Sequence, residues 1–537
     1  MREREPLRWA VVGSTLLLSL AWLFIQWKTL QGFDFTASGG PLWGVADDVY
    51  ISADFGRTLA HGGGPRWFPG APKVEGFTSP LWTLLLAGVE LLPGASGKRL
   101  GLAIFAVNAV VLVALARTVV GVLVTLPPPG NGRKWALSVG LPVAAISGVA
   151  ISYWAGNGFE TPLVGLLSLA AFDRALREDD PWSSLKVGAL TALGAFTRLD
   201  ALLYCGAPLL YVTFAGPRAR SFGKRLAGPA VVAVSLACQF VGRFLYYGEW
   251  LPNTYYLKAT GWALRERTLQ GWWQNAPALI PLIVFLLPVT AVLLPRLERR
   301  EIWRVVIPLG VFVLSVAYST SLGGDLAYEV YGYDRFTSIG AVFLSVGLPA
   351  LFVGAANASR PGRLAGACAA LAVAASPVWL RPDLMTGRLQ LREPPHLAGL
   401  RTPLLVRDTL TLTWIRYGEA VARITRPRAT VAVCAAGATV YFSNRRAVDI
   451  LGKVDKRIAR LRVPPKAPPD ARCWRGYPGA GHNKEDVRGT FGMYAPDVAL
   501  VAPPAANASS YRAVAFDGLP FWVRIGSSVV RWDRLQP

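Results

Sequence analysis

The feature that most constrains this chain is a succession of apolar runs, many of them close to the twenty residues needed to cross about 30 Å of hydrocarbon. Candidate spans lie near 9–30, 100–118, 135–154, 160–173, 184–197, 200–215, 226–246, 276–295, 302–319, 336–354 and 363–380. The spacing predicts a mainly α polytopic membrane protein with about eleven transmembrane helices over 1–380. Composition agrees: 53% of the 537 residues are apolar and only 17% are charged, against about 25% charged in a soluble domain. The first run follows a basic start and is too long for a signal-peptide core, so it reads as an uncleaved anchor.

Basic residues outnumber acidic ones by 56 to 33, for a net charge of +23. They do not line one face, as a nucleic-acid binder would require. They cluster between apolar runs, at MREREPLR, GPRARSFGKR (216–225), PRLERRE (295–301) and ASRPGR (358–363). That pattern follows the positive-inside rule for a membrane surface, with no nucleic-acid partner. A cytoplasmic N-terminus places the basic loops inside, provided the marginal stretch 80–93 does not cross. We therefore expect 80–93 to be a re-entrant or interfacial helix. Eleven crossings then put 381–537 outside, in a multi-pass protein of a bacterial plasma membrane.

Residues 381–537 contain no span. Runs such as TVAVCAA (430–436), DVALVAP (497–503) and YRAVAF (511–516) predict short strands. In 443–462, Val, Ile and Leu are spaced as on a helix among Arg and Lys. A C-terminal α/β domain, extracytoplasmic and able to bind glycan, is expected. Cys205, Cys238 and Cys368 lie in apolar runs, whereas Cys434 and Cys473 can pair if the domain is exported.

Candidate chemistry gathers in the loops assigned to the outer face. The outer loop 31–99 contains ADDVYISADFGRTLAHGGGPRWFPGAPKVEGFTSPLW. Asp47 and Asp48 are adjacent, so on a helix their side chains diverge by about 100°. One can enter a site as general base while the other orients a neighbour; the plainer alternative is a helix cap in a wet loop. Arg57 lies two turns from Tyr50 on the same face, placed to meet an anionic group or to anchor at the interface. HGGGP is no phosphate loop, since no Lys-Ser/Thr follows. Other outer clusters contribute Glu160; Arg198 and Asp200; Tyr255 and Lys258; and Asp325 and Arg335. No dedicated metal-ligand cluster is visible, although a divalent cation is compatible with the carboxylates.

The order DDVYI, a Gly-rich turn and VEGFTSPLW resembles the first outer loop of bacterial polytopic glycosyltransferases of the GT-C fold. In particular it resembles the mycobacterial terminal arabinofuranosyltransferase branch. The resemblance continues through GNGFETPL, TRLD, YYGEWLPNTYYLK, GGD followed by RF, and CAAGATVYFSNRRAVDILGKVDKRIAR. It implies transfer of a sugar from a polyprenyl-phosphate donor to an envelope glycan or lipid-linked acceptor, with inversion. The base maps to Asp47 or Asp48. Arg57, Arg198, Lys258 and Arg335 become candidates for the lipid phosphate. Tyr50, Glu75, Thr78, Glu160, Asp200, Tyr255 and Asp325 become candidates for substrate contact. Two rivals remain: a lipid or polysaccharide transporter, which should carry internal repeats and mid-span acids, and a non-catalytic scaffold that binds envelope glycan.

Overall fold

A computed structural model describes residues 4–35, 42–125, 131–177, 180–215, 221–325, 333–354, 380–383, 388–391, 409–464, 472–473 and 481–535. In chain order the elements are α1 (Arg4–Gln31), α2 (Asp47–Ala60), α3 (Pro80–Leu91), α4 (Leu100–Thr125), α5 (Asn131–Gly156), α6 (Thr161–Ala175), α7 (Ser183–Thr197), α8 (Ala201–Leu210), α9 (Phe222–Tyr247), α10 (Asn253–Ala259) and α11 (Leu264–Gln274). There follow α12 (Ala276–Leu293), which contains a π turn at Leu282–Leu286, α13 (Arg299–Leu322) and α14 (Arg335–Gly354). The remainder are β1 (Leu380–Asp383), β2 (Arg388–Leu391), α15 (Thr409–Ile424), β3 (Thr430–Val433), α16 (Ala438–Ser443), β4 (Arg446–Asp449), α17 (Lys456–Ala459), α18 (Val487–Tyr494), β5 (Val498–Ala499), β6 (Tyr511–Phe516) and β7 (Leu519–Arg524).

The chain divides into two compact units. One comprises Met1–Thr29, Phe105–Gln239 and Arg267–Leu405; the other comprises Leu30–Ile104, Phe240–Glu266 and Val406–Pro537. The second unit thus takes in the first loop and residues 240–266 together with the C-terminal segment. This division differs from a cut near residue 380.

Within the first unit, α14 is buried throughout its apolar window. Val342, Phe343, Leu344 and Leu351 of α14 share one core with Phe312, Phe172 and Leu112. Helices approach closely where side chains are smallest. A Cβ on Gly188 of α7 would lie 2.4 Å from the Cα of Gly228 in α9, the small-residue contact common between apolar helices. By contrast α1 exposes Leu16, Leu17, Leu20 and Phe24, and α9 exposes Phe222, Val234 and Leu245. Apolar surface of that extent is stable against lipid rather than water. At the start of α13, Glu298 and Glu301 form a capping box, and left-handed Gly323 ends the helix.

Among the described residues seven helices are long and apolar enough to cross a membrane; eleven spans were expected over 1–380. The runs at 160–173, 184–197 and 200–215 are helical, but α6 and α7 have 15 residues each, and Ala201–Ala215 is likewise short. Fifteen residues rise only about 22 Å. The run 363–380 falls almost wholly outside the described residues. The stretch 80–93 becomes α3, 12 residues beginning with Pro80, about 18 Å long.

The second unit contains a five-stranded sheet in the order β4-β3-β5-β7-β6. Strand β3 is parallel to β4 and β5; β7 is antiparallel to β5 and β6. Leu519, Phe521 and Val523 alternate inward along β7. The β6–β7 turn is Asp517-Gly518, with φ of 52° and 73°, the pair that a two-residue hairpin favours. One core joins Val431, Val433, Val498 and Phe521 of this sheet to Ile51, Phe55, Trp67 and Phe77 of the first loop. The helix-like spacing in 443–462 is overturned. That segment forms strand β4, a turn, and the four-residue α17, capped by Asp455 accepting the amides of Arg457 and Ile458.

Candidate functional site

Helix α2 carries the first-loop candidates. Asp47 and Asp48 occupy its first turn, where a carboxylate meets the positive end of the helix dipole. The helix stops where His61 turns its Nδ1 toward the Arg57 carbonyl, 2.8 Å away, and Gly62 takes φ +78°. Its inward residues, including Tyr50, Ile51, Asp54 and Phe55, are buried.

The two aspartates diverge to different partners. The Asp47 carboxylate accepts the Ala438 amide at 2.7 Å, at the start of α16. Gly437 makes that approach feasible, because a Cβ there would lie 1.9 Å from the Asp47 carbonyl oxygen. Asp48 accepts Nζ of Lys453 at 2.5 Å. The Lys453 side chain is only 9% exposed, whereas that of Asp48 is 34% exposed. Burial alone would lower the pKa of Lys453; the carboxylates of Asp48, Asp47 and Asp449 together outweigh it and hold the ammonium above its usual value.

Arg57 sits in a closed network. It donates to the Tyr441 carbonyl at 2.8 Å and lies 3.4 Å over the Tyr441 ring. It is 3.7 Å from Glu90 and 4.0 Å from Asp54. The Tyr441 hydroxyl donates to Glu90 at 2.5 Å. Tyr50 packs beside Tyr441, with ring centroids 5.0 Å apart. Burial pushes the Asp54 carboxyl well above the usual range, against the pull of Arg57. Glu75 receives Arg243 through two hydrogen bonds, 2.5 and 3.2 Å, and is buried. Asn253 ties residues 240–266 to the sheet domain, donating to the carbonyls of Gly452, Lys453 and Asp455. Thr78 is half-buried, Tyr255 exposed and Lys258 half-buried on α10.

The remaining candidates belong to the first unit. Arg198 bridges Glu160 and Asp200, each at 2.7 Å. Arg335 pairs with Asp325 at 2.8 Å. Three of the four proposed phosphate cations, Arg57, Arg198 and Arg335, therefore already face carboxylates. Among the described residues no group of three His, Cys, Asp or Glu side chains could hold a metal ion. Cys434 and Cys473 form a disulfide with Cα atoms 5.4 Å apart.

Residues 406–526 match a family described as a domain of unknown function, DUF8728. No curated protein and no solved structure matches the chain. The matched residues hold the partners that α2 uses: Ala438, Tyr441 and Lys453.

Those partners, together with Asp54, Glu90 and Arg243, escape a reading of the sequence. Asp48 and Lys453 are 405 positions apart, and Glu75 and Arg243 are 168 apart.

Proposed function

We propose that this chain is a membrane glycosyltransferase of the GT-C type. It moves a sugar from a polyprenyl-phosphate donor to an envelope glycan or lipid-linked acceptor at the outer face of a bacterial plasma membrane. The observation that carries this reading is the placement of Asp47 and Asp48. They are half-exposed in the first turn of α2, while Asp54 and Glu75 are buried. Each is oriented by a fixed donor, the Ala438 amide or Lys453. The Cys434–Cys473 disulfide fits an oxidising, extracytoplasmic compartment for the C-terminal domain.

In the proposed reaction an acceptor hydroxyl attacks the anomeric carbon. The new carbon–oxygen bond forms as the bond to the lipid phosphate breaks, and the configuration inverts. The acceptor proton passes to Asp47 or Asp48, and the polyprenyl phosphate leaves with the bonding pair. General base catalysis of this kind is worth about 10²–10⁴ in rate. Arg57, Arg198 or Arg335 would hold the phosphate only by exchanging a carboxylate for it; Lys258 is the fourth candidate.

The test is purified chain incubated with a panel of polyprenyl-phosphate sugars and acceptor glycans. Transfer that falls about 10²–10⁴-fold in Asp47→Asn or Asp48→Asn, in folded protein, supports the reading. A second reading rests on the same contacts: both aspartates serve as ties to the sheet domain in a non-catalytic glycan-binding scaffold. Absence of transfer from every donor, with glycan still bound, favours the scaffold.

A further inference from the structure

Six arginines of the second unit, far apart in sequence, meet at the C-terminal end of α15. Arg423 lies in the last turn of that helix, and Arg426 and Arg428 flank Pro427 in the turn that leads into β3. The C-terminal segment runs alongside. Thr425 bridges Val530, the Arg426 amide donates to the Val529 carbonyl, and the Arg531 amide donates to the Ile424 carbonyl. Arg534 donates to the carbonyl of Arg423, 111 positions earlier. Arg445, just before β4, donates to Thr425 Oγ1 and to the carbonyls of Ala422 and Thr425.

The charge gathered here is largely unanswered. Arg423 pairs with Asp517, but among the described residues the side chains of Arg426, Arg428 and Arg531 have neither an ion pair nor a hydrogen bond. Arg445 spends its donors on neutral oxygens. Its own burial, and then the neighbouring charge of Arg531, push its guanidinium below the usual value. The C-terminus of a helix carries about half a negative charge, too little to answer six cations. Like charges held together cost stability unless an anion joins them.

The surroundings select among anions. A membrane-binding surface sets large apolar side chains among its cations, and none is exposed in 411–449 or 526–535. The Cys434–Cys473 disulfide of the same domain fits an oxidising compartment, away from nucleic acid. Beside the arginines stand Asn444 and Ser528, both exposed, and Trp532, half-buried. The amide and the hydroxyl can meet sugar hydroxyls, and the indole offers a face for the C–H groups of a sugar ring.

We propose that this arginine surface docks an acidic glycan, one that carries carboxylate or phosphate groups along its length. Each guanidinium can meet two oxygens of such a group at once. The proposal takes from the glycosyltransferase reading only the placement of the domain outside the membrane, and it needs no catalysis at Asp47 or Asp48.

Fluorescence anisotropy on the full chain in phosphatidylcholine nanodiscs tests this. The acidic probes are labelled oligogalacturonate and phosphomannan; the controls are neutral oligomannose of matching length and single-stranded DNA of matching charge. At least one acidic glycan should bind more tightly than either control, and less tightly as salt rises. Arg426→Gln, Arg428→Gln and Arg531→Gln together should weaken it about tenfold or more. Arg460→Gln, Arg462→Gln and Arg488→Gln, at exposed positions elsewhere in the unit, should leave it unchanged. Arg426 and Arg428 are exposed, so that pair alone serves if the first triple variant does not fold. Binding of neither acidic glycan, equal binding of the neutral one, or equal loss in both variant sets overturns the proposal. DNA binding as tight as that of the glycans assigns the surface to charge alone and also overturns it. So does capture of the nanodiscs by phosphatidylglycerol vesicles that is lost in the Arg426 and Arg428 variant and that exceeds binding of either glycan. Transfer is assayed on the same samples. Binding without transfer removes the glycosyltransferase reading and leaves the docking surface standing; transfer without binding does the reverse.

Discussion

Asp48→Asn should destabilise the protein by stranding Lys453, and adding Lys453→Met should recover most of the loss. The Lys453 side chain is 9% exposed and its ammonium sits 2.5 Å from Asp48. Without the carboxylate, Lys453 must stay charged in a poor environment or give up its proton. Deprotonation at pH 7 sets a ceiling of about 4.6 kcal/mol, from an ordinary value near 10.4. The Asp48 side chain is 34% exposed, so water reaches the pair and the expected cost is lower, about 2 kcal/mol. In a folding unit of this size that is a fall of about 4–8 °C in Tm. Lys453→Met keeps the length of the side chain and removes the charge, so the double variant should melt within about 2 °C of wild type. Thermal unfolding of the full chain in nanodiscs reads both. The same pair separates stability from chemistry. If Asp48 is the base, transfer stays low in the double variant although stability has returned. If Asp48 is only a tie, transfer returns with it. Asp48→Asn melting like wild type, or a double variant no better than the single, would refute the account of Lys453.

Three further outcomes are expected. Replacing Cys434 and Cys473 by Ser removes a cross-link spanning 39 positions and should cost about 4 kcal/mol; a melting temperature indifferent to reductant in wild type would contradict this. Burial raises the Asp449 carboxyl to about 6, although the Val454 and Leu451 amides and Lys453 favour its charged form. The folded state then binds this proton more tightly than the unfolded chain, whose value is near 3.9, so stability should fall by about 3 kcal/mol as pH rises from about 4 to about 6; Asp449→Asn should flatten that slope in a pH series of melts. A reporter active only in the cytoplasm, fused after Pro537, should be silent, and a strong signal from it would invert the orientation.

Local patterns announced what is local in this fold. YRAVAF alternates and forms β6 to the residue. The long runs near 9–30, 226–246 and 302–319 became α1, α9 and α13, a helix being able to satisfy every backbone group of an apolar run within the segment. The failures have physical causes. Strand β7 carries Pro520, which argues against a strand, yet β6 pairs with it through the Asp517-Gly518 turn. Strand β4 has an exposed Arg446 and only two buried residues, so its period-2 signal was too short to displace a helical spacing. Only one side of the candidate site was legible in the sequence. DDVY marked the two carboxylates, but their partners come from segments hundreds of residues away, and no periodicity links Asp48 to Lys453 or Glu75 to Arg243.

The ties at Asp47 and Asp48 do not exhaust what those residues are placed to do. The Glu75–Arg243 pair has both partners out of water, at 4% and 5% side-chain exposure, where the cost of desolvating two charges offsets much of their attraction. The Asp48 pair is asymmetric: the lysine is buried and a third of the carboxylate remains accessible. Burying the lysine fixes one oxygen of Asp48 while part of its side chain stays exposed. Asp47 is likewise half-exposed while one of its oxygens is held by the Ala438 amide. Each of the two carboxylates is held by a donor from the sheet domain, the Ala438 amide or Lys453. The sheet domain supplies both anchors, Ala438 and Lys453, and shares a core with Ile51 and Phe55 of α2. Under the glycosyltransferase proposal, the C-terminal domain would take part by positioning the base through these two donors.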